Sequence, residues 1–586
     1  MATPTSSASG LAHRAATFDT TTDALDYAAK GKSGVNFYGA DESLVTALTY
    51  AEMREKSLAL AGKLAAKFPR QSHLGLIADT SADFLVAFMA CQYAGMIPAP
   101  MSLPAAFSGR ANYEWQIAGM ARTAALSAIM TPPNLFELLE GIASEQDIPV
   151  YELSGADLGD ETATPIPHGP DEPAYLQFSS GSTSEPKGIL SSQRSLMANA
   201  HAITNEGLML NEHDRMASWL PLYHDMGLVG FFIVPMCNQN SLDYISPSTF
   251  ARRPGLWLRI MSDNRCTVTY SPSFGYGLAA RRHRSADLDL SCVRVAGIGG
   301  DMIQHDVLDR FHEVFQEYGF RREAFVASYG MAEVTLAASF APLNTGPRLD
   351  TVNLTELQTR SVANRAEPEA DKQRTFTACG RPLPSLEVCI RDQNGNNVAP
   401  REIGQVMLKG PSIAEGYFRK GKRLKKLCDA DGWFATGDLG YWLDDELVIT
   451  GRSKDLMLWN GKNIWPQDLE WVAQKAGGKH VSRAVAFDFE QADGTSQVML
   501  LVECRVKDEE RRAEIKREIT NAVRSVVGVP FEFVFVVMRS LPVTSSGKLS
   551  RAGARVRYLD GRLTDARANV DGMMPHRQES RSVNAS

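Results

Sequence analysis

No stretch of these 586 residues holds an apolar run of about 18 residues, the length a helix needs to cross a bilayer. The nearest, Gly227 to Met236 (GLVGFFIVPM), is about half that and reads as core or pocket lining. The first 16 residues (MATPTSSASGLAHRAA) lack the apolar stretch of a secretory signal, so a cytoplasmic protein without a transmembrane segment is expected. The eight cysteines are scattered with no Cys-x-x-Cys, which indicates neither a disulfide framework nor a zinc site, only free thiols in a reducing compartment. Lys and Arg total 61 against 68 Asp and Glu, a net charge of −7. No global basic field therefore favours nucleic acid or anionic lipid, and any phosphate recognition must be local. No G-x-x-x-x-G-K-[ST] loop and no internal repeat occurs.

Apolar residues at 44% and charged residues at 22% are those of a folded globular chain. The length exceeds what one core supports, which predicts a large domain plus at least one smaller one. From Tyr50, helical spacing alternates with short apolar runs (HLGLIAD, SAIMTPP, PAYLQFSS, RMASWLPL, CTVTYSP, VRVAGIGG), most ending in Gly, Ser or Pro. This is an α/β pattern, with polar loops at the carboxyl edges of strands, where such sheets bind ligands. A polar stretch over 341–377 reads as an inserted surface segment or a plain loop, and SLEVCIRD and GQVMLKG as a small β-rich subdomain reaching about Thr450. A last α+β unit is read from ELVIT, VSRAVAFDF, VMLLVECRV, the charged helix RRAEIKREITNAVRSVV and FEFVFVV. The expected boundaries are a flexible 1–15, an N-terminal domain over 16–452, a hinge at 453–454, a C-terminal domain over 455–565 and a disordered tail over 566–586.

Chemistry concentrates in YLQFSSGSTSEPKGIL, Tyr175 to Leu190. Here a strand ends in Ser179, Ser180, Gly181, Ser182 and Thr183, followed by Lys187. Gly and Ser let backbone amides and hydroxyls converge on phosphate oxygens, and a lysine adds a mobile cation. Further on come WLPLYHDMGLVG with His224 and Asp225, YSPSFGY, VAGIGGD, SYGMAE with Tyr329 and Glu333, WFATGDLGY with Asp438, GRSKDLMLWNGKNIWPQDLE with Arg452 and Lys454, and PVTSSGKLSR with Lys548. An aromatic face suits a purine, and a carboxylate suits a hard cation that keeps several waters. The apolar run from Met226, with Phe274 and Tyr276, suggests a channel for an acyl chain.

In this order, over nearly the whole chain, these stations resemble the adenylate-forming (acyl-CoA synthetase/ligase) superfamily. SWLPLYHDMGLVG, SYGMAEVTL and GKNIWPQDLE look closest to its fatty acyl-AMP ligases and acyl-acyl carrier protein synthetases. VAGIGGD departs from the commoner pattern at Ile298, Gly300 and Asp301, and Asn460, Lys462, Ile464 and Trp465 depart in the segment after the hinge. The resemblance implies an α/β fold, with a large N-terminal domain of sheets, packed helices and a small β-rich subdomain, and a mobile smaller α+β C-terminal domain. It also implies ATP and magnesium as cofactors. Nucleotide contacts are expected from Ser179 to Thr183, Lys187, Gly300, Asp301, Tyr329, Gly330, Met331, Asp438 and Arg452, and magnesium contacts from Glu333 and Thr183. Asp225, Met226, Gly230, Phe231, Phe274 and Tyr276 fall on the acyl side, with His224, Lys454 as pivot and Lys548 as mobile lysine in catalytic roles. The partners implied are a fatty acid and either a holo acyl carrier protein or CoA. The 341–377 stretch lies where that subfamily carries an insertion thought to hinder CoA use. A catalytically dead scaffold is the rival of another class, and Lys187, Glu333, Asp438, Arg452 and Lys548 standing together argue against it.

Overall fold

The computed structural model describes residues 3–6, 8–104, 110–179, 186–284, 287–370, 372–419, 422–491, 495–543 and 548–563. It divides into two compact units, Met1–Lys454 and Asp455–Ser586. Among the described residues of the first unit, nine strands form one sheet, whose middle is parallel. In spatial order the parallel strands are Phe325–Gly330, Val295–Ile298, Val268–Ser271, Arg215–Ser218, Ser241–Ile245 and Gly34–Tyr38. Val268–Ser271, Val295–Ile298 and Ser241–Ile245 are buried along their whole length, as parallel strands covered on both faces are. A second, parallel sheet holds Ile97–Met101, His73–Ile77, Ala128–Thr131 and Val150–Glu152. The helix Ala82–Tyr93 connects two of these strands and is buried over most of its surface, so its sequence is apolar all round.

Two four-stranded antiparallel sheets and one two-stranded one complete the described part of the unit. The first four-stranded sheet runs Lys422–Lys426, Gly416–Arg419, Lys187–Ser192, Pro173–Ser179, and the second Glu387–Arg391, Gly404–Lys409, Phe434–Leu443, Glu446–Arg452. The run ELVIT, read from sequence as the opening of the last unit, belongs to this fourth sheet, where Tyr441 pairs with Val448 and Leu443 with Glu446. The polar 341–377 stretch carries secondary structure of its own. Leu349–Asn353 and Gln373–Thr377 pair as antiparallel strands around the helix Leu354–Arg360, with Val352, Leu354, Leu357 and Phe376 buried. Its anchor is Asp350, which accepts from Arg401 Nη2 at 2.8 Å and from Tyr441 Oη at 2.6 Å.

Within 1–15, expected to be a flexible lead-in, Thr5 is fastened to the large sheet. The backbone N–H of Thr5 donates to Asn36 Oδ1 at 2.9 Å and its carbonyl accepts from Arg215 Nη1 at 3.1 Å. Arg215 in turn is paired with Asp243 at 2.7 Å in a buried setting. Small hydroxyl and amide residues carry this anchor, so no hydrophobic signal marks it in the sequence.

Among its described residues the second unit holds a two-stranded sheet, Met457–Trp459 and Lys462–Ile464, and a three-stranded sheet, Val481–Glu490, Ser496–Cys504 and Glu532–Val536, with the helices Pro466–Gly477, Glu509–Val527 and Arg551–Leu559. Ile515, Ile519, Val523 and Val527 recur at helical spacing and form the buried stripe of the long charged helix. The expected tail, 566–586, lies outside the described residues.

Candidate active site

The motifs read from sequence follow the carboxyl ends of the parallel strands: 219–225 after Arg215–Ser218, Pro272 onward after Val268–Ser271, Gly299–Asp301 after Val295–Ile298, and Met331–Thr335 after Phe325–Gly330. Gly330 is required where it stands, since a Cβ there would lie 1.9 Å from the Leu336 carbonyl oxygen. Gly300 has φ +79°, and a Cβ on it would sit 3.6 Å from Met226 Cε, so the 219–226 and 299–301 loops approach one another.

Three groups of side chains form here. In the first, Tyr329 donates its hydroxyl to Asp438 Oδ2 at 2.8 Å, and Arg452 Nε lies 3.3 Å from Asp438 Oδ1. Asp438 and Arg452 are direct register partners across the two adjoining strands. In the second, Glu333 accepts at Oε1 from the Tyr417 hydroxyl at 2.9 Å, and Lys187 Nζ lies 5.0 Å from the centroid of the Tyr417 ring. Burial raises the Glu333 carboxyl above its ordinary range, the Tyr417 bond opposes that shift, Arg452 lowers it and Asp225 raises it. In the third, Asp225 Oδ1 lies 2.5 Å from His224 Nδ1 and accepts from the Met226 N–H at 2.7 Å. The same Met226 N–H also lies 3.2 Å from His224 Nδ1, so the His224 and Asp225 side chains converge on it.

The loop bearing Glu333 is held by its backbone. Ala414 N–H donates to the Glu333 carbonyl at 2.9 Å, and the buried Thr335, at φ 72° and ψ −56°, donates its hydroxyl to the Ser412 carbonyl at 2.8 Å. A β-branched residue at positive φ is strained, and strain of this kind persists where surrounding contacts over-determine it.

Other predicted residues fall elsewhere or differ in character. Ser180, Gly181, Ser182 and Thr183 lie outside the described residues, whereas Ser179 ends its strand in register with Lys187. Asp301 is exposed and bonds the next backbone N–H, and Met331 is partly buried. Gly230 and Phe231 sit in a π-helical turn, Val229–Ile233, with the Phe231 ring edge-on to Tyr270 at 6.2 Å. Phe274 is half exposed beside Trp219, and Tyr276 is enclosed by Trp257, Phe311 and Phe325 with its hydroxyl on the Gly297 carbonyl at 2.9 Å. Lys454 is the last residue of the first unit. In the second unit, Lys548 lies partly buried between Val543 and Leu549, which form a bridge, and the helix capped by Ser550.

Two residues were passed over in the sequence. Tyr417 is 84 positions from Glu333, and only the pairing of Gly416–Arg419 with Lys187–Ser192 brings it there. Arg551 was read only as the end of a motif, yet it pairs with Glu470 at 2.7 Å and Asp455 at 2.9 Å.

Chemically, an aromatic hydroxyl, a carboxylate and a guanidinium suit a nucleoside, while a partly buried carboxylate and a lysine that both meet Tyr417 suit phosphates with a hard cation. Among the described residues no group of three or more His, Cys, Asp and Glu side chains forms a protein-only cage. Magnesium fits this donor set, since it is commonly held by one or two carboxylates and completed by substrate phosphates and water. No helix among the described residues is long and apolar enough to cross a membrane.

Residues 30–418 match the family model described as AMP-binding enzyme. The chain is 42% identical over 571 residues to a protein of Caulobacter vibrioides (strain NA1000 / CB15N) named "Putative acyl-CoA synthetase", covering 96% of this chain and 99% of that one. It is 28% identical over 579 residues to the "Medium-chain-fatty-acid--[acyl-carrier-protein] ligase JamA" of Moorena producens (strain JHB), covering 94% and 97%. A solved chain from structural and functional studies of fatty acyl-adenylate ligases from E. coli and L. pneumophila superposes with a TM-score of 0.89 at 37% identity, over 94% of this chain and 100% of that one. With the match spanning both the parallel-sheet loops and the Lys187 strand, the chain belongs to the AMP-binding enzyme family.

Proposed function

We propose that this chain activates a medium- or long-chain fatty acid as its acyl-adenylate, releasing pyrophosphate, and then passes the acyl group to the phosphopantetheine thiol of an acyl carrier protein for lipid or polyketide synthesis. The observation that carries the reading is the placement, within one unit, of the Tyr329–Asp438–Arg452 set beside the Glu333–Tyr417–Lys187 set. The names of the similar proteins supply the fatty acid.

In the first step a carboxylate oxygen bonds to the α-phosphorus of ATP, and the bond to the bridging oxygen of pyrophosphate breaks. Tyr329 faces the adenine, Asp438 accepts from the ribose hydroxyls and Arg452 reaches ribose or phosphate. Lys187 and the Ser179–Thr183 loop neutralise the outer phosphates. Magnesium, when bound, withdraws charge from the phosphate oxygens, and Glu333 and Thr183 are the residues to hold it. Asp225, Met226, Gly230, Phe231, Phe274 and Tyr276 form the acyl side, with His224 at its mouth. Lys548 bridges carboxylate and α-phosphate. In the second step a rotation at 453–454, with Lys454 as pivot, withdraws Lys548 and admits the thiol. CoA is the alternative acceptor, favoured by the name of the Caulobacter relative.

The test is pyrophosphate release with acetate and with dodecanoate, followed by thioester formation on holo carrier protein and on CoA. At about 0.8 kcal/mol per buried CH₂, dodecanoate should exceed acetate in kcat/KM by more than about 100-fold, and the carrier protein should be acylated faster than CoA. Equal kcat/KM for the two acids contradicts the acyl channel. Efficient acyl-CoA formation contradicts the acceptor.

A further inference from the structure

Tyr417 stands between two residues to which the proposed function gives separate tasks. Its hydroxyl donates to Glu333 Oε1 at 2.9 Å, and its ring lies under Lys187 Nζ at 5.0 Å from the centroid. The segment that carries it is fastened on both sides. Toward Glu333 run the bonds from Ala414 N–H to the Glu333 carbonyl and from the Thr335 hydroxyl to the Ser412 carbonyl. Toward Lys187, the Glu415 N–H donates to the Leu190 carbonyl at 2.9 Å, and Tyr417 is in register with Ile189, two residues along from Lys187. Side chains two apart on a strand share a face, so the tyrosine and the lysine project to the same side of the sheet.

We propose that Tyr417 is a positioning residue that sets the carboxylate of Glu333 for the metal and the ammonium of Lys187 for the phosphates from a single side chain. The inference rests on the reading of Glu333 and Lys187 given above. A hydroxyl donor on Oε1 fixes the carboxylate plane and leaves Oε2 free to turn toward a cation. An aromatic face attracts an ammonium on a flexible four-carbon stem and narrows the rotamers that must be ordered when ATP arrives. The two effects use different parts of the residue, the oxygen and the ring, and are therefore separable.

The experiment uses the full chain with Tyr417→Phe and Tyr417→Leu, alongside Glu333→Gln and Lys187→Ala as references. Binding of Mn²⁺ to the enzyme–ATP complex is followed by electron paramagnetic resonance, metal-free ATP binding by calorimetry, and the Mg²⁺ dependence of pyrophosphate release by kinetics. Tyr417→Phe, which keeps the ring, should weaken Mn²⁺ binding and raise the Mg²⁺ concentration for half-activation about tenfold, with metal-free ATP binding within about twofold of the wild type. Tyr417→Leu should weaken both. Wild-type Mn²⁺ binding in Tyr417→Phe overturns the proposal, as does a parallel loss of both affinities in the two variants or the loss of a thermal unfolding transition in both. If Glu333→Gln and Lys187→Ala bind like the wild type, the underlying reading falls and this inference with it. If they are impaired while the Tyr417 variants are not, this inference falls alone.

Discussion

Lys548 and Arg551 are three positions apart and answer to different physics. Lys548 is partly buried and is assigned to the reacting carboxylate, whereas Arg551 is paired with Glu470 and Asp455 and ties its turn to the first residue of the second unit. Lys548→Ala should leave folding intact and lower adenylate formation by roughly 10²–10³, the usual loss for one transition-state donor. Arg551→Met should instead destabilise the second unit by about 3–5 kcal/mol, because it leaves two partly buried carboxylates without their cation. Pyrophosphate release and urea unfolding on both variants separate the roles, and wild-type release by Lys548→Ala would remove that lysine from the mechanism. At this scale contiguous motifs led to Tyr329 and Asp438, which the fold brings into hydrogen-bond contact. The sequence was silent on Tyr417, whose partners are set by strand register between segments far apart in the chain.

Among the elements, the hairpin Leu349–Asn353/Gln373–Thr377 shows why polarity misleads. Its surface is polar, yet its fixed point is the buried carboxylate of Asp350, held by Arg401 and Tyr441. Tyr441 is pushed well above its ordinary value by burial and by the bond to Asp350, which keeps the phenol protonated as the donor. Asp350→Ala should cost about 3 kcal/mol or more in urea unfolding, since Arg401 and Tyr441 would lose their acceptor. An unchanged midpoint would make the segment an independent surface insertion. Excising 344–372 would remove the same anchor, so a gain of CoA use in such a deletion must be read against its stability. The run ELVIT illustrates a second limit of sequence reading. Its strand character was plain, but its sheet was not, because antiparallel partners are chosen by packing and not by periodicity.

For the molecule as a whole, the α/β alternation and the loops at strand carboxyl ends were legible because short apolar runs alternate with helical spacing and most end in Gly, Ser or Pro. The division after Lys454 follows no composition change, and only the motif around Gly451 to Lys454 pointed to it. The two proposed half-reactions require two arrangements of catalytic groups, and the proposed pivot would supply them. Lys454→Pro, which fixes φ, should therefore leave adenylate formation near the wild-type rate and sharply reduce thioester transfer to holo carrier protein. Transfer at the wild-type rate would refute the pivot.

Attack of a fatty carboxylate on the α-phosphorus of ATP is the claim on which every assignment depends, and it can be followed atom by atom. With dodecanoate carrying oxygen-18 in both carboxylate positions, ATP, Mg²⁺ and holo carrier protein, the bridging oxygen of the mixed anhydride leaves with AMP when the thiol attacks the carbonyl. Mass spectrometry should then find one oxygen-18 in AMP, none in pyrophosphate, and the acyl thioester on the carrier. Unlabelled AMP, or label appearing in inorganic phosphate with ADP as the other product, would contradict the account.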